Sequence, residues 1–234
     1  MNIIAVIPAR GGSKRIPRKN IIEFMGKPMI AWTIEAAQNA KIFNRILVST
    51  DSEEIANVSK SYGIDVPFLR QYKNDDYSPV TEATIEAINQ AEKFYNEKYD
   101  IVMQLMANAP LRSDKDILQH YSTFLASGGD FQISSFKFGW MNPWWAFKVN
   151  KSGESEWIMK EGIGKRSQDL EELYCPTGVI WIAKVNQLKA ANTFYGPGYR
   201  FCEINWKNAV DIDNYEDLEF AKALYLLKQD KASL

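Results

Sequence analysis

Cysteine and histidine are scarce in this 234-residue chain, with Cys175, Cys202 and His120 the full set. Two cysteines make a weak case for a disulfide, and free thiols in a cytoplasmic protein are the expectation. No apolar run approaches the roughly 20 residues that a membrane helix needs. The opening MNIIAVIPAR does not read as a secretory leader, because its apolar run is short and Pro8 and Arg10 end it. No internal repeat or low-complexity tract is present. Excess charge is missing as well: the net charge is −1. General nucleic-acid binders and membrane-surface proteins are usually more basic, so neither partner is expected. What remains is 46% hydrophobic and 24% charged. That suits one domain over residues 1–234, or one domain with a sizeable insertion.

The hydrophobic pattern alternates between strands and helices. NIIAVIPA, RILVST and DIVMQLM are continuous apolar runs ended by turn signals and predict buried strands; VPFL predicts a short one. Between them, KPMIAWTIEAAQNA predicts a helix with Pro28 in its first turn. DSEEIANVSKSYG predicts another, with an Asp51–Glu54 capping box and Gly63 as its stop. Ser78-Pro79 opens a helix that runs to about Tyr95, and a further helix covers about Asp114 to Ala126. Such alternation predicts a three-layer α/β/α sandwich on a mostly parallel sheet, with ligands bound outside the carboxyl ends of the strands. After Gly128-Gly129 the pattern changes. Residues of about 138–175 hold short strand-like runs and four tryptophans, Trp140, Trp144, Trp145 and Trp157. They predict an antiparallel, aromatic-rich insertion that serves as a dimer contact or a substrate lid. VIWIAKV returns to strand character, and NYEDLEFAKALYLLKQ predicts an amphipathic helix capped by Asn214.

Against the near-zero net charge, one stretch stands out. IPARGGSKRIPRKN, residues 7–20, contains Arg10, Lys14, Arg15, Arg18 and Lys19 and no acid. It follows the first strand, at the end of the sheet where ligands bind. Main-chain N–H groups of a glycine-rich turn form an anion-binding concavity, and Gly11 and Gly12 let the backbone approach a ligand. Arginine and lysine add charge-assisted bonds to phosphate oxygens. Neither GxxxxGK[ST] nor a GxGxxG after the first strand is present, so two better-known phosphate loops are excluded. A second motif is AVDIDN, where Asp211 and Asp213 are two apart. On extended backbone they point to one side, and two converging carboxylates with hard oxygens suit Mg²⁺. Spacing alone leaves this open, since Asp213-Asn214 also reads as an ordinary helix cap; a phosphate loop elsewhere favours the metal.

These segments resemble the nonulosonate cytidylyltransferases, whose best-known members are the CMP-N-acylneuraminate synthetases. The resemblance runs from residue 4 to about 224 through IPARGGSKRIPRKN, VSTDSEEIA, VPFLR, APLR, RSQDL, CPTGVIWI and AVDID, in the family's order and spacing. It implies transfer of CMP from CTP to the anomeric hydroxyl of an acidic nine-carbon α-keto sugar, with Mg²⁺ assisting and pyrophosphate released, in an enzyme that is commonly a homodimer. By the same resemblance, Arg10 and Lys19 hold the triphosphate beside Ala9, Gly11, Gly12 and Ser13, and Asn20 seats the nucleotide. Arg70 borders the cytosine pocket, Asp211 and Asp213 hold the metal, and Arg166 and Gln168 lie on the sugar side. Arg10, Lys19 and Asp211 are the residues expected to carry the chemistry.

The chain departs from the family on the sugar side. Where many sialic acid synthetases read QPTSPLR, it reads MANAPLR. Met106 replaces the glutamine, Asn108 and Ala109 replace a hydroxyl pair, and Thr177 stands where many members have asparagine. An unpaired buried polar group costs about 1–3 kcal/mol, so these changes alter which sugar substituents are satisfied. Legionaminic and pseudaminic acids become candidate acceptors beside N-acetylneuraminic acid. His120 sits mid-helix and reads as a packing residue.

Overall fold

The computed structural model describes residues 1–71 and 80–232; the expected Ser78-Pro79 helix start lies outside them. In chain order the elements are β1 (Ile3–Pro8), β2 (Glu23–Phe24), β3 (Lys27–Pro28), α1 (Met29–Ala40), β4 (Arg45–Ser49), α2 (Glu53–Ser61), α3 (Val80–Tyr95), β5 (Ile101–Leu105), α4 (Asp114–Ser127), β6 (Phe131–Lys137), β7 (Phe147–Val149), β8 (Ser155–Trp157), β9 (Tyr174–Lys184), α5 (Val185–Ala191), β10 (Arg200–Glu203) and α6 (Tyr215–Ala232). Short 3₁₀ turns lie at Lys19–Ile21 and four later places.

Six strands form one sheet in the order β10-β6-β9-β5-β1-β4. β1 runs parallel to β4 and β5, and β10 parallel to β6, while β9 is antiparallel to both its neighbours. β1 and β5 are buried along their whole length because helices cover both faces. That is why they read as unbroken apolar runs rather than as alternation. One face packs on α1, where Ile30, Ile34 and Ala37 meet Ala5, Ile7 and Met103. On the other, Ile4, Val6 and Val102 meet Ala87, Ile88 and Ala91 of α3.

Three local expectations need correction. VPFL is not a strand. Pro67 lacks a ladder donor, and the segment is tethered to the end of β4 by Arg70 N–H to Thr50 O at 2.7 Å. The N-cap of α2 is Ser52 rather than Asp51, its hydroxyl accepting from the Ile55 N–H. Asp51 turns instead to the cationic loop and accepts from the Gly11 N–H at 2.8 Å. Finally, α6 is capped by Asn214, which accepts from the Asp217 N–H, but it is not amphipathic. Leu218, Ala221 and Leu224 are buried, while Phe220, Leu226 and Leu227 are exposed.

Between β6 and β9 the chain leaves the sheet. β7 and β8 pair as an isolated antiparallel hairpin. Around it Trp140, Met141, Phe147, Val149, Ile158 and Ile163 are exposed, Trp140 at 84%.

Candidate active site

Two parallel strands, β1 and β5, end side by side, and the chain beyond each lines one cleft of about 590 Å³. From β1 come Ala9, Arg10, Ser13, Lys14, Arg15, Ile16, Lys19 and Asn20; from β5 come Met106 and Asn108. Arg70, Val80 and Ala83 close one side, and Asp211 and Asp213 the other.

The loop after β1 is held by its own backbone. Ser13 N–H bonds Gly11 O at 3.0 Å, and the buried Asn20 amide donates to Arg10 O at 2.9 Å. Asn20 thus fixes the path of the loop as well as lining the cleft. A Cβ on Gly11 would lie 3.1 Å from Ser52 Cβ, so glycine lets the loop press against the start of α2. Gly11 N–H is already engaged by Asp51. Gly12 is exposed with open space around it. Arg10 and Ser13, on either side of the two glycines, line the cleft. Arg70 is 5% exposed. Burial pulls its guanidinium below the usual arginine range, the Arg10 charge adds to that, and Asp51 opposes it.

The segment before α6 docks on the loop after β5. Ile212 N–H bonds Asn108 O at 2.9 Å, and Asn108 Nδ2 donates back to Ile212 O at 3.0 Å. Ile212 is fully buried against Ile16, Phe24 and Leu111, and alternation turns its neighbours Asp211 and Asp213 the other way, into the cleft. The Asn108 amide also donates to Asp211 Oδ1 and lies 3.5 Å from Asp213 Oδ1. It is a neutral donor placed where two carboxylates approach each other.

The two carboxylates have different environments. Water reaches Asp211 through the open cleft, but protein surrounds it on the other sides. That desolvation, with Asp213 beside it, pushes its carboxyl up to about 6, Lys19 only partly opposing. Desolvation also acts on Asp213, but there Lys19 and Arg15 outweigh it and hold the carboxyl below its usual value. Lys19 Nζ reaches Asp213 Oδ1 at 2.7 Å, and Arg15 Nη2 reaches Oδ2 at 2.7 Å.

The donor set fits a hard divalent cation. Asp211 and Asp213 supply carboxylate oxygens, and the buried Oδ1 of Asn108 has no hydrogen-bond partner. Among the described residues, no group of three or more His, Cys, Asp or Glu side chains converges. A cation here would depend on water and ligand phosphates for its remaining oxygens, which is the manner of Mg²⁺.

Beneath the cleft lies Arg112, 3% exposed. It donates to Val179 O at 2.7 Å, to Thr33 Oγ1 at 2.7 Å and to Met106 O at 3.4 Å. Burial lowers its guanidinium to about 9, with Asp116 opposing. It ties together α1, β9 and the loop that carries Met106 and Asn108. Gly178 of β9 packs closely there: a Cβ would stand 3.3 Å from Met106 Cγ, so that side chain would have to shift by a few tenths of an ångström, and 3.8 Å from Asp211 Oδ2.

Three expected sugar-side residues stay outside the cleft of this chain. Thr177 is buried, and its hydroxyl donates to Ala209 O at 3.3 Å. Arg166 and Gln168 are exposed on the insertion, Arg166 paired with Asp169 at 2.7 Å. Conversely Lys14, Arg15, Ile16, Val80 and Ala83 line the cleft without having been singled out as binding residues. No local signal marks the Arg15 contact, because its partner lies 198 positions away.

A mixed, mostly parallel sheet with cations facing paired carboxylates at its strand ends defines a nucleotide-handling α/β protein, suited to a polyanionic ligand with a divalent cation. Comparison with known proteins narrows the class. The cytidylyltransferase family profile matches residues 4–233, and the chain belongs to that family. A pseudaminic acid cytidylyltransferase from Campylobacter jejuni (strain 81-176) is 36% identical over 99% of this chain and 100% of its own. A CMP-N,N'-diacetyllegionaminic acid synthase from Legionella pneumophila is 32% identical over 98% of this chain and 99% of its own. Among solved structures, a CMP:2-keto-3-deoxy-manno-octonic acid synthetase complexed with CTP aligns with a TM-score of 0.72 at 17% identity. That alignment covers 97% of this chain and 100% of that one, a likeness of fold. No helix among the described residues is long and apolar enough to cross a membrane.

Proposed function

We propose that this enzyme transfers CMP from CTP to the anomeric hydroxyl of a nine-carbon α-keto acid of the pseudaminic type, releasing pyrophosphate. One observation carries the reading: the cations of residues 10–19 and the carboxylates of 211 and 213 line a single cleft at the strand ends, with Lys19 and Arg15 in contact with Asp213. The full-length similarity to a pseudaminic acid cytidylyltransferase supports the choice of acceptor. In the reaction the anomeric oxygen forms a bond to the α-phosphorus and the bond to the β-phosphate oxygen breaks. The hydroxyl proton leaves to solvent or a base, and pyrophosphate departs.

Arg10 and Lys19 neutralise the triphosphate, Ala9, Ser13 and Asn20 shape its seat, and Arg70 borders the base. Asp211 and Asp213 hold Mg²⁺, which when bound supplies charge neutralisation at the phosphates and acidifies a bound hydroxyl or water. Transfer of this kind depends on positioning and preorganised charge rather than on a covalent nucleophile. Met106 borders the acceptor, and its thioether in place of glutamine favours an acceptor with more methyl surface at that point.

The enzyme acts as a cytoplasmic homodimer in this proposal. The exposed apolar side chains of the insertion form a patch of the kind that marks a protein contact. Arg166 and Gln168 sit on that arm, so the acceptor half of the site depends on the assembly.

Pyrophosphate release tests the proposal, using CTP with pseudaminic, legionaminic, N-acetylneuraminic and eight-carbon keto acids. Pseudaminic acid should give the highest kcat/KM; a preference for any other acid overturns the acceptor assignment. A thermal-shift comparison of CTP, UTP, GTP and ATP with Mg²⁺ checks the nucleotide.

A further inference from the structure

The cationic loop and the carboxylate pair are bonded to each other. Asp213 has a cation on each oxygen, Lys19 on Oδ1 and Arg15 on Oδ2, both at 2.7 Å. Asp211 takes its hydrogen bond from the neutral Asn108 amide instead. The two cations come from the loop proposed to hold triphosphate, and the carboxylate from the pair proposed to hold metal. The two roles compete for the same charge, although each group has further donors or lone pairs. While Arg15 and Lys19 neutralise Asp213, their charge is not on a phosphate, and both carboxylate oxygens are turned to them rather than to a divalent ion.

We infer that Arg15 is a positioning residue that works by exchange: it and Lys19 clamp Asp213 in the free enzyme, and a triphosphate draws them off, releasing Asp213 to the divalent cation. This rests on the cytidylyltransferase reading for the identity of the triphosphate. A phosphate chain offers several oxygens and more charge than one carboxylate, so it wins the two cations. Coupling of this kind is reciprocal, so triphosphate improves the metal site and metal at Asp213 improves the triphosphate site. Arg15 is two-thirds exposed, its side chain at 66%, and Asp213 is at 39%. An exposed pair contributes little, so removing the clamp should shift affinities by a factor of about 2–5.

The loop contains its own control. Arg18, also 66% exposed, pairs with Glu54 rather than with Asp213. The first arm titrates Mn²⁺ into the full-length protein without nucleotide, following free Mn²⁺ by electron paramagnetic resonance. Arg15→Gln should bind Mn²⁺ about 2–5 times more tightly than the wild type, with Arg15→Lys close to wild type and Arg18→Gln unchanged. Adding Asp213→Asn to Arg15→Gln should remove the gain. The second arm measures CTP and, separately, inorganic triphosphate by calorimetry in EDTA. Asp213→Asn should tighten both by a similar factor, while Glu54→Gln should not. A residue that only packs the loop would weaken both ligands or neither, and melting curves identify misfolded variants.

Equal gains from Arg15→Gln and Arg18→Gln would reduce the effect to general field and overturn the exchange. So would unchanged Mn²⁺ affinity, or a gain that survives Asp213→Asn. If inorganic triphosphate tightens as expected while CTP does not bind the wild type, the cytidylyltransferase reading falls and the exchange stands.

Discussion

The donor half of the cleft and the 138–173 arm are built in opposite ways. In the donor half, the 9–20 loop and the 106–109 loop each bond the 211–213 segment, through Lys19 and Arg15 and through Asn108, while Asn20 ties the first loop to itself. Beneath them Arg112 joins three elements. The arm makes a two-stranded ribbon of its own and leaves large apolar side chains in solvent. One region is complete within the chain; the other carries Arg166 and Gln168 away from the cleft. The difference teaches that charged groups which must meet at fixed distances are held by bonds within the chain, whereas an exposed apolar ribbon is left with its large side chains uncovered.

The largest effects should come from breaking the donor half. Lys19→Ala or Asp211→Asn should lower kcat by about 10²–10³, the scale of losing one preorganised charge contact. Folded mutants within threefold of wild type would remove these residues from the mechanism. Asp211→Asn should also raise the melting temperature. The folded carboxyl sits near 6 against an ordinary 3.8, so at neutral pH the fold bears the cost of a disfavoured charge that the amide removes. That gain should be full above about pH 6 and fade as the pH falls towards 4, because below its unfolded pKa the aspartic acid is neutral in both states. A melting series of both proteins across this range gives the sign.

Next in size is the framework beneath. Arg112→Met should cost about 1–3 kcal/mol, since it takes the donor from the Val179 carbonyl in the interior, while Thr33 keeps its bond to Met106 O. Chemical denaturation measures it, and an unchanged midpoint would mean that this carbonyl finds another partner.

On the arm the expectation reverses. Trp140→Ser with Phe147→Ser should leave CTP affinity within about twofold, as expected for surface changes remote from the nucleotide. The same pair should raise the acceptor KM and shift the protein towards monomer in sedimentation. Loss of CTP binding would show that the two halves are not separable in this way.

The smallest effect concerns His120, which is buried with Nδ1 against Asp116 O at 2.9 Å. Burial holds its pKa below the usual 6.5. The folded state therefore resists protonation, and this contribution to stability is present above the unfolded pKa and lost as the pH falls below it. His120→Gln should flatten the acid side of the stability profile.

Much of the donor half was legible in the sequence because its signals are local. β1 and β5 announce themselves as unbroken apolar runs, the loop as clustered cations beside glycines, and Asp211 and Asp213 as an i, i+2 pair. What stayed hidden depends on distant partners. Nothing near Arg15 announces Asp213, and nothing near Asp51 says that it serves Gly11 rather than α2. VPFL has strand composition, but Pro67 denies it a ladder. α6 reads as amphipathic because of its interspersed charges, yet Phe220, Leu226 and Leu227 face solvent. The edge strand β10 and the short α5 carry little sequence signal of their own, since neither has a strong period.

The most direct test of the central claim is pyrophosphate release by the purified enzyme with CTP, Mg²⁺ and pseudaminic acid, measured beside Asp211→Asn. The account predicts release that needs both substrates and falls about 10²–10³-fold in the variant. No release with any nonulosonic acid, from a wild-type protein that still binds CTP, would contradict it.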